Sequence, residues 1–140
     1  MKVIIIEDEK PAARRLSRML NELSIEPLTM LHSVEEAVNW FINNEHPDLI
    51  FLDIQLSDGL SFEIFDEVEI ESAIIFTTAY DEYALKAFKL NSIDYLLKPL
   101  DEDELKVAID KFKENRPKQT DVQVNIDDIR KLLINPVDRK

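Results

Sequence analysis

The chain has 140 residues, 45% of them hydrophobic, so it is long enough for one domain with its own core. Its 29 acidic and 17 basic side chains give a net charge of −12, and the acidic excess lies before residue 117, where it would repel nucleic-acid phosphates. The absence of cysteine excludes disulfides and thiolate metal sites, and no apolar run approaches the roughly 20 residues of a membrane span. We therefore expect a cytoplasmic protein that does not contact membranes.

Apolar runs and helical patterns alternate along the chain. Unbroken apolar runs predict buried strands at residues 2–6, 48–52, 72–77 and 93–97, with a weaker edge strand at 26–31. Helices are predicted at 11–23, from a capping box at 33–36, at 61–68, at 81–90 and from a cap at 101–104. Five βα units of this kind predict an α/β fold, a doubly wound five-stranded parallel sheet.

The spacing of apolar residues also predicts which helix positions face the core. For the first three helices these are Ala12, Leu16, Met19, Leu20 and Leu23, then Val34, Ala37, Val38, Phe41 and Ile42, then Ile64, Phe65 and Val68. For the last two they are Ala84, Leu85 and Phe88, then Leu105, Ala108, Ile109 and Phe112.

The periodic pattern stops after Arg116. The segment that follows is polar and contains Pro117, which is typical of a linker, and residues 125–134 have the spacing of a short helix. We expect a first domain at residues 1–116, with residues 117–140 a linker and the start of an absent output domain. The abrupt end favours a chain cut from a longer protein.

Polar residues directly follow four of the predicted strands. Glu7 and Asp8 follow the first, Asp53 follows "LIFL", Thr78 follows "AIIFT", and Lys98 follows "DYLL". In a parallel sheet these carboxyl ends meet at one edge, where ligands bind. Asp and Thr are common caps, so for any single residue capping is the commoner role, but a matching set at four ends is harder to explain that way.

This set of residues suits phosphoryl chemistry. Three neighbouring carboxylates repel one another unless a cation lies among them, and Mg2+ prefers oxygen ligands. An aspartate can act as a nucleophile and form an aspartyl phosphate. A lysine and a threonine can then bind the phosphoryl oxygens.

The motifs "IIIEDE", "LIFLDI", "FTTAY" and "DYLLKP" resemble the receiver domain of bacterial two-component response regulators. The resemblance covers residues 1 to about 114 and implies a flavodoxin-like (βα)5 fold. The stretches "TAYDEYALKAF" and "DYLLKPL" are most similar to the LytTR (LytR/AlgR) class, in which a DNA-binding domain follows the receiver.

The resemblance implies a role for each polar position. Asp53 matches the phosphoacceptor, Asp8 the direct Mg2+ ligand and Glu7 the second acid, with the backbone carbonyl of Gln55 completing the metal site. Lys98 matches the lysine that pairs with the phosphate, in a cis peptide bond to its proline. Two further positions, Thr78 and Tyr95, match the pair of residues that switch on phosphorylation.

The sequence departs from the family pattern in two places. Glu7 stands where many receivers have aspartate, which could change the affinity for the metal. The loop after Asp53 is shorter than usual, with Ser57 where proline is common. Gly59, the only glycine of the chain, is expected to let this loop turn into the next helix through a positive φ or a close backbone approach.

The resemblance implies a switch and not an enzyme, since the domain would catalyse only its own phosphorylation and dephosphorylation. Its expected partners are a sensor histidine kinase, a second copy through the face formed by residues 81–113, and DNA only through a missing C-terminal output domain. Isolated His32 and His46 are not expected to bind metal.

Three alternatives remain open from the sequence. A Mg2+-dependent phosphatase is disfavoured because Gln55 occupies the position of its general acid, two residues after the nucleophile. A flavin-binding electron carrier is disfavoured because "EDEKPA" would repel phosphate. A pseudo-receiver scaffold that works without phosphorylation is argued against by the complete set of site residues.

Overall fold

A computed structural model of the protein describes residues 1–79 and 94–114. In chain order the elements are β1 Val3–Ile6, α1 Lys10–Glu22, β2 Met30–Leu31, α2 Val34–Asn43, β3 Leu49–Asp53, β4 Gln55–Leu56, β5 Gly59–Leu60, α3 Phe62–Glu67, β6 Ala73–Thr78, β7 Asp94–Leu97 and α4 Glu102–Glu114. The predicted helices at 81–90 and 125–134 and the predicted linker lie outside the described residues. No helix in the described ranges is long and apolar enough to cross a membrane.

Five strands form the main sheet, and all neighbouring pairs are parallel. The strand order is β2–β1–β3–β6–β7, so the chain winds outwards from β1 in both directions. This order confirms the predicted doubly wound α/β fold.

Side chains of the central strands alternate between two hydrophobic cores, one on each face of the sheet. The core shared with α2 and α3 contains Ile4, Ile6, Ile50, Leu52, Ile74, Phe76 and Tyr95. The core shared with α1 and α4 contains Val3, Ile5, Leu49, Phe51, Ile75 and Leu96. Because successive residues of a strand point to opposite faces, unbroken apolar runs are what a sheet covered on both faces requires.

The helix caps largely follow the sequence prediction. The Ser33 hydroxyl accepts a hydrogen bond from the Glu36 N–H at 3.0 Å, and the Asp101 carboxylate accepts one from the Glu104 N–H at 3.0 Å. The reciprocal half of the first capping box differs, because Glu36 accepts from the N–H of His32, at 2.8 Å, one residue before the expected donor.

Three sequence predictions about the core and the sheet edge are wrong in detail. The side chain of Ile42 is 64% exposed, and Ala13 is buried on α1 where Ala12 was expected. Successive residues of a helix are about 100° apart, so both errors fall at the border of the apolar stripe. The edge strand expected at 26–31 is only Met30–Leu31.

An unpredicted hairpin follows the third strand. β4 and β5 are antiparallel, with Leu56 opposite Gly59 and a two-residue turn at Ser57 and Asp58. Gly59 has φ +149°, and a Cβ atom there would lie 2.6 Å from a carboxylate oxygen of Glu63. The expected positive φ of Gly59 is confirmed, and it serves the hairpin that leads into α3.

Candidate functional site

The strand register brings the predicted polar residues to one edge of the sheet. The parallel register of β1 and β3 puts Glu7 beside Asp53. The register of β6 and β7 puts Thr78 opposite Leu97, the residue before Lys98. The sequence argument from strand ends therefore holds for the described strands.

Three acidic side chains form a compact cluster at this edge. One carboxylate oxygen each from Glu7, Asp8 and Asp53 lies within 4.8 Å of the others. Glu7 and Asp53 are only 4% and 6% exposed, whereas Asp8 is half-buried. Oxygen ligands at this spacing suit one small divalent cation that keeps some of its water, so the residues present fit the Mg2+ that the sequence predicts.

Lys98 bridges two of the three carboxylates. Its Nζ lies 2.7 Å from Oε1 of Glu7 and 2.9 Å from Oδ2 of Asp53. Burial by itself would lower the pKa of Lys98, but its hydrogen bonds to both carboxylates outweigh burial and raise that pKa. The ammonium therefore stays charged, and a single positive charge faces three acidic groups.

The charged form of the Glu7 carboxyl group is disfavoured at its position in the cluster. The pKa of Glu7 is raised to about 7, chiefly by burial and also by the charge of Asp53, because the hydrogen bonds from Lys98 and the N–H of Glu9 only partly oppose these two effects. A carboxyl group that holds a proton near neutral pH is a poor metal ligand until a cation displaces that proton.

Of the remaining predicted site residues, Thr78 and Gln55 hydrogen-bond residues of the site, whereas Tyr95 lies in the core. Thr78 is 2% exposed, and its carbonyl accepts a hydrogen bond from the N–H of Lys98 at 2.8 Å. Tyr95 is 8% exposed and packs in the core on the α2 and α3 face. The Lys98–Pro99 peptide bond is cis, as the resemblance implies. Gln55 donates its N–H to Oδ1 of Asp53 at 3.4 Å.

Sequence reasoning missed the contacts of two residues, one at the site and one in the hairpin that follows Asp53. Nδ1 of His32 lies 2.9 Å from the carbonyl oxygen of Glu7. No local sequence pattern predicts this contact, which joins the residues that follow β1 and β2. Asp58, at the hairpin turn, hydrogen-bonds the start of α2. A hairpin signal was present, since an Asp-Gly dipeptide is typical of a hairpin turn, but it places the turn at Asp58 and Gly59, one residue later than the observed turn at Ser57 and Asp58.

Comparison with known proteins agrees with the fold. Residues 3–110 match the family described as the response regulator receiver domain. The chain therefore belongs to that family, whose members are signalling proteins of two-component systems. The helices and strands also match the solved response regulatory domain of protein mrkE from Klebsiella pneumoniae, with a TM-score of 0.69 and 30% identity over 84% of this chain and 99% of that chain.

Two curated relatives indicate the class of receiver. The sensory transduction protein LytT of Bacillus anthracis is 37% identical over 130 residues, which are 90% of this chain and 52% of the relative. The transcriptional regulatory protein LytR of Staphylococcus aureus strain N315 is 36% identical over 122 residues, 84% of this chain and 49% of the relative. The expected LytTR-like class is confirmed, and the chain spans about half the length of these relatives.

Proposed function

We propose that the domain is a phosphorylation switch in which Asp53 accepts a phosphoryl group from a sensor histidine kinase. The observation that carries this proposal is the buried carboxylate of Asp53, which lies at the carboxyl edge of the sheet with Glu7, Asp8 and Lys98 gathered around it. A lone strand cap would not need two more acids and an ammonium within contact distance.

The reaction would be a displacement at phosphorus. An oxygen of Asp53 attacks the phosphorus atom as the bond from phosphorus to the kinase histidine nitrogen breaks, and the electron pair stays on that nitrogen. Mg2+, when bound, would offset the negative charge on the transferring phosphoryl oxygens. Glu7, Asp8, Asp53 and the carbonyl of Gln55 are the groups that would hold it.

Phosphorylation of Asp53 would give the ammonium group of Lys98 a new anionic partner in place of its two carboxylate partners. In the unphosphorylated protein this ammonium is hydrogen-bonded to Glu7 and Asp53. A phosphoryl group on Asp53 would offer this ammonium oxygens that share up to two negative charges, which favours strong charge-assisted hydrogen bonds. The Thr78 hydroxyl would bind the same group, and the space that it leaves would let Tyr95 adjust its packing, which biases a two-state equilibrium.

We further propose that residues 1–116 are the receiver unit and that residues 117–140 lead to a DNA-binding output domain. Support comes from the relatives LytT and LytR, which are about twice as long as the matched region. A dimer through the face formed by residues 81–113 would pass the signal on.

Phosphorylation is tested by incubating the protein with acetyl phosphate, with and without Mg2+, and measuring intact mass. Wild type should gain one phosphoryl group only when Mg2+ is present, and Asp53→Asn should gain none. The asparagine keeps the shape of the side chain but lacks the nucleophilic oxygen. A folded wild-type protein that gains no phosphoryl group would instead support a scaffold that works without phosphorylation.

A further inference from the structure

Asp58, in the hairpin loop after Asp53, forms hydrogen bonds with the start of α2, which precedes it by more than 20 residues in the sequence. Its Oδ1 accepts a hydrogen bond from the N–H of Val34 at 2.8 Å, and its Oδ2 accepts one from the N–H of Glu35 at 3.2 Å. Desolvation by itself would raise the pKa of the exposed Asp58 carboxyl group, but its hydrogen bonds with the backbone N–H groups of Val34, Glu35 and Asp58 itself together outweigh desolvation and lower that pKa. The carboxylate therefore caps a helix to which it does not belong.

This cap provides acceptors for two N–H groups at the start of α2. The first four N–H groups of a helix, counted from the N-cap residue, have no partner within it. Ser33 satisfies the N–H of Glu36 from within the local sequence, and Asp58 satisfies the N–H groups of Val34 and Glu35 from 24 and 23 residues away. The helix start thus has one local cap and one cap supplied by the hairpin.

The hairpin needs such an anchor. Its two strands have two residues each, and an isolated two-stranded hairpin is at best marginally stable in water. Its base is held by a hydrogen bond from the Ser61 N–H to the Ile54 carbonyl at 2.8 Å, and its turn is held by Asp58. Between these two points lies Gln55, whose backbone carbonyl is a proposed metal ligand.

We propose that Asp58 is a positioning residue, which docks the hairpin on α2 and thereby holds the backbone of Gln55 where it can bind the metal beside Asp53. This inference rests on the proposed function. It explains how so short a loop keeps a fixed path beside the site: the restraint comes from α2 at one end and from β3 at the other. Gly59 contributes by adopting a backbone conformation that other residues rarely adopt.

The test compares two caps of the same helix. Asp58→Ala removes the cap supplied by the hairpin, and Ser33→Ala removes the local cap at 3.0 Å from Glu36 N, so both weaken the start of α2. Only the first also frees the hairpin. For each variant, the phosphorylation rate with acetyl phosphate is measured against Mg2+ concentration, and Mg2+ binding is measured by calorimetry.

We expect Asp58→Ala to raise the Mg2+ concentration for half-maximal phosphorylation about tenfold, the lower end of the effect of outer-shell contacts on metal affinity. The rate at saturating Mg2+ should change much less, and the calorimetric affinity should fall in parallel. Ser33→Ala should leave both quantities at the wild-type value. Asp58→Asn keeps one acceptor oxygen for a helix N–H, so it should lie between wild type and Asp58→Ala.

Equal Mg2+ dependence in the alanine variants of Asp58 and Ser33, whether shifted or unshifted, would overturn the positioning role while leaving the proposed function intact. If Asp58→Ala does not fold, Asp58→Asn decides the matter, and an unchanged Mg2+ dependence in that variant overturns the role. A wild-type protein that gains no phosphoryl group and binds no Mg2+ would overturn the proposed function itself.

Discussion

Polar side chains at the two edges of the parallel sheet make different kinds of contact. At the amino edge, Asp48 accepts a hydrogen bond from the N–H of Lys2 at 2.8 Å, and the Ser72 hydroxyl donates to the carbonyl of Pro47 at 2.6 Å. At the carboxyl edge, the carboxylates of Glu7 and Asp53 face each other and share one ammonium.

The difference separates a structural cap from a site. At the amino edge a polar side chain meets a backbone group that needs a partner, so the contact satisfies both. At the carboxyl edge two carboxyl groups are held close together in a buried position, which costs stability. Such an arrangement is typical of functional sites, and substitutions at the two edges should therefore have different effects.

The largest predicted difference is in the phosphorylation rate, between alanine variants of two lysines. Lys98→Ala should slow the phosphorylation of Asp53 by about 100-fold, because it removes the cation that binds the transferred phosphoryl group. Lys111 forms an ion pair with Asp94 at the start of β7, with a nitrogen–oxygen distance of 3.7 Å, and the Lys111 side chain is half-exposed. Lys111→Ala should therefore leave the phosphorylation rate unchanged. Phosphorylation rates by intact mass would measure both, and similar rates in the two variants would contradict a special role for Lys98.

The next effect is on the pH dependence of stability. The pKa of Glu7 is raised to about 7 in the folded protein, so between its ordinary pKa near 4.5 and pH 7 the folded state binds more protons than the unfolded state. Stability should therefore fall as pH rises through this window, by about 3 kcal/mol in total. Urea unfolding at a series of pH values measures the slope, which should largely vanish in Glu7→Gln.

Two controls sharpen the assignment of that slope. Ser72→Ala, at the amino edge, should keep it, because the acidic cluster is untouched. Added Mg2+ should reduce it in wild type, because a bound cation favours the ionised form of Glu7. A slope that persists in Glu7→Gln would assign the proton uptake to another group.

The smallest effect is expected at the amino edge itself. Ser72 is 2% exposed, and Ser72→Ala would leave the carbonyl of Pro47 without its hydroxyl partner. A buried acceptor left unpaired costs about 1–3 kcal/mol in the free energy of unfolding, measurable by urea denaturation. The phosphorylation rate should not change. A slower rate would contradict the conclusion that polar residues at the amino edge have only a structural role.

Much of the site was predictable because its signals are local. Apolar runs marked where β1, β3, β6 and β7 end, and parallel pairing then brought Glu7, Asp8, Asp53, Thr78 and Lys98 together. The helix faces followed from the 3.6-residue period, with errors only at border positions such as Ile42. Gly59 was recognised as a special backbone position because it is the sole glycine.

Which groups pair across the fold was decided only by the tertiary structure. Lys98 bonds Asp53 across 45 residues of chain and also bonds Glu7, and Asp58 caps α2 from 24 residues away. Local periodicity carries no information about these partners, because each contact depends on where two separately formed elements come to lie. The sequence by itself therefore determined the fold and the membership of the acidic cluster, whereas packing determined its hydrogen bonds, the raised pKa of Glu7 and the docking of the hairpin.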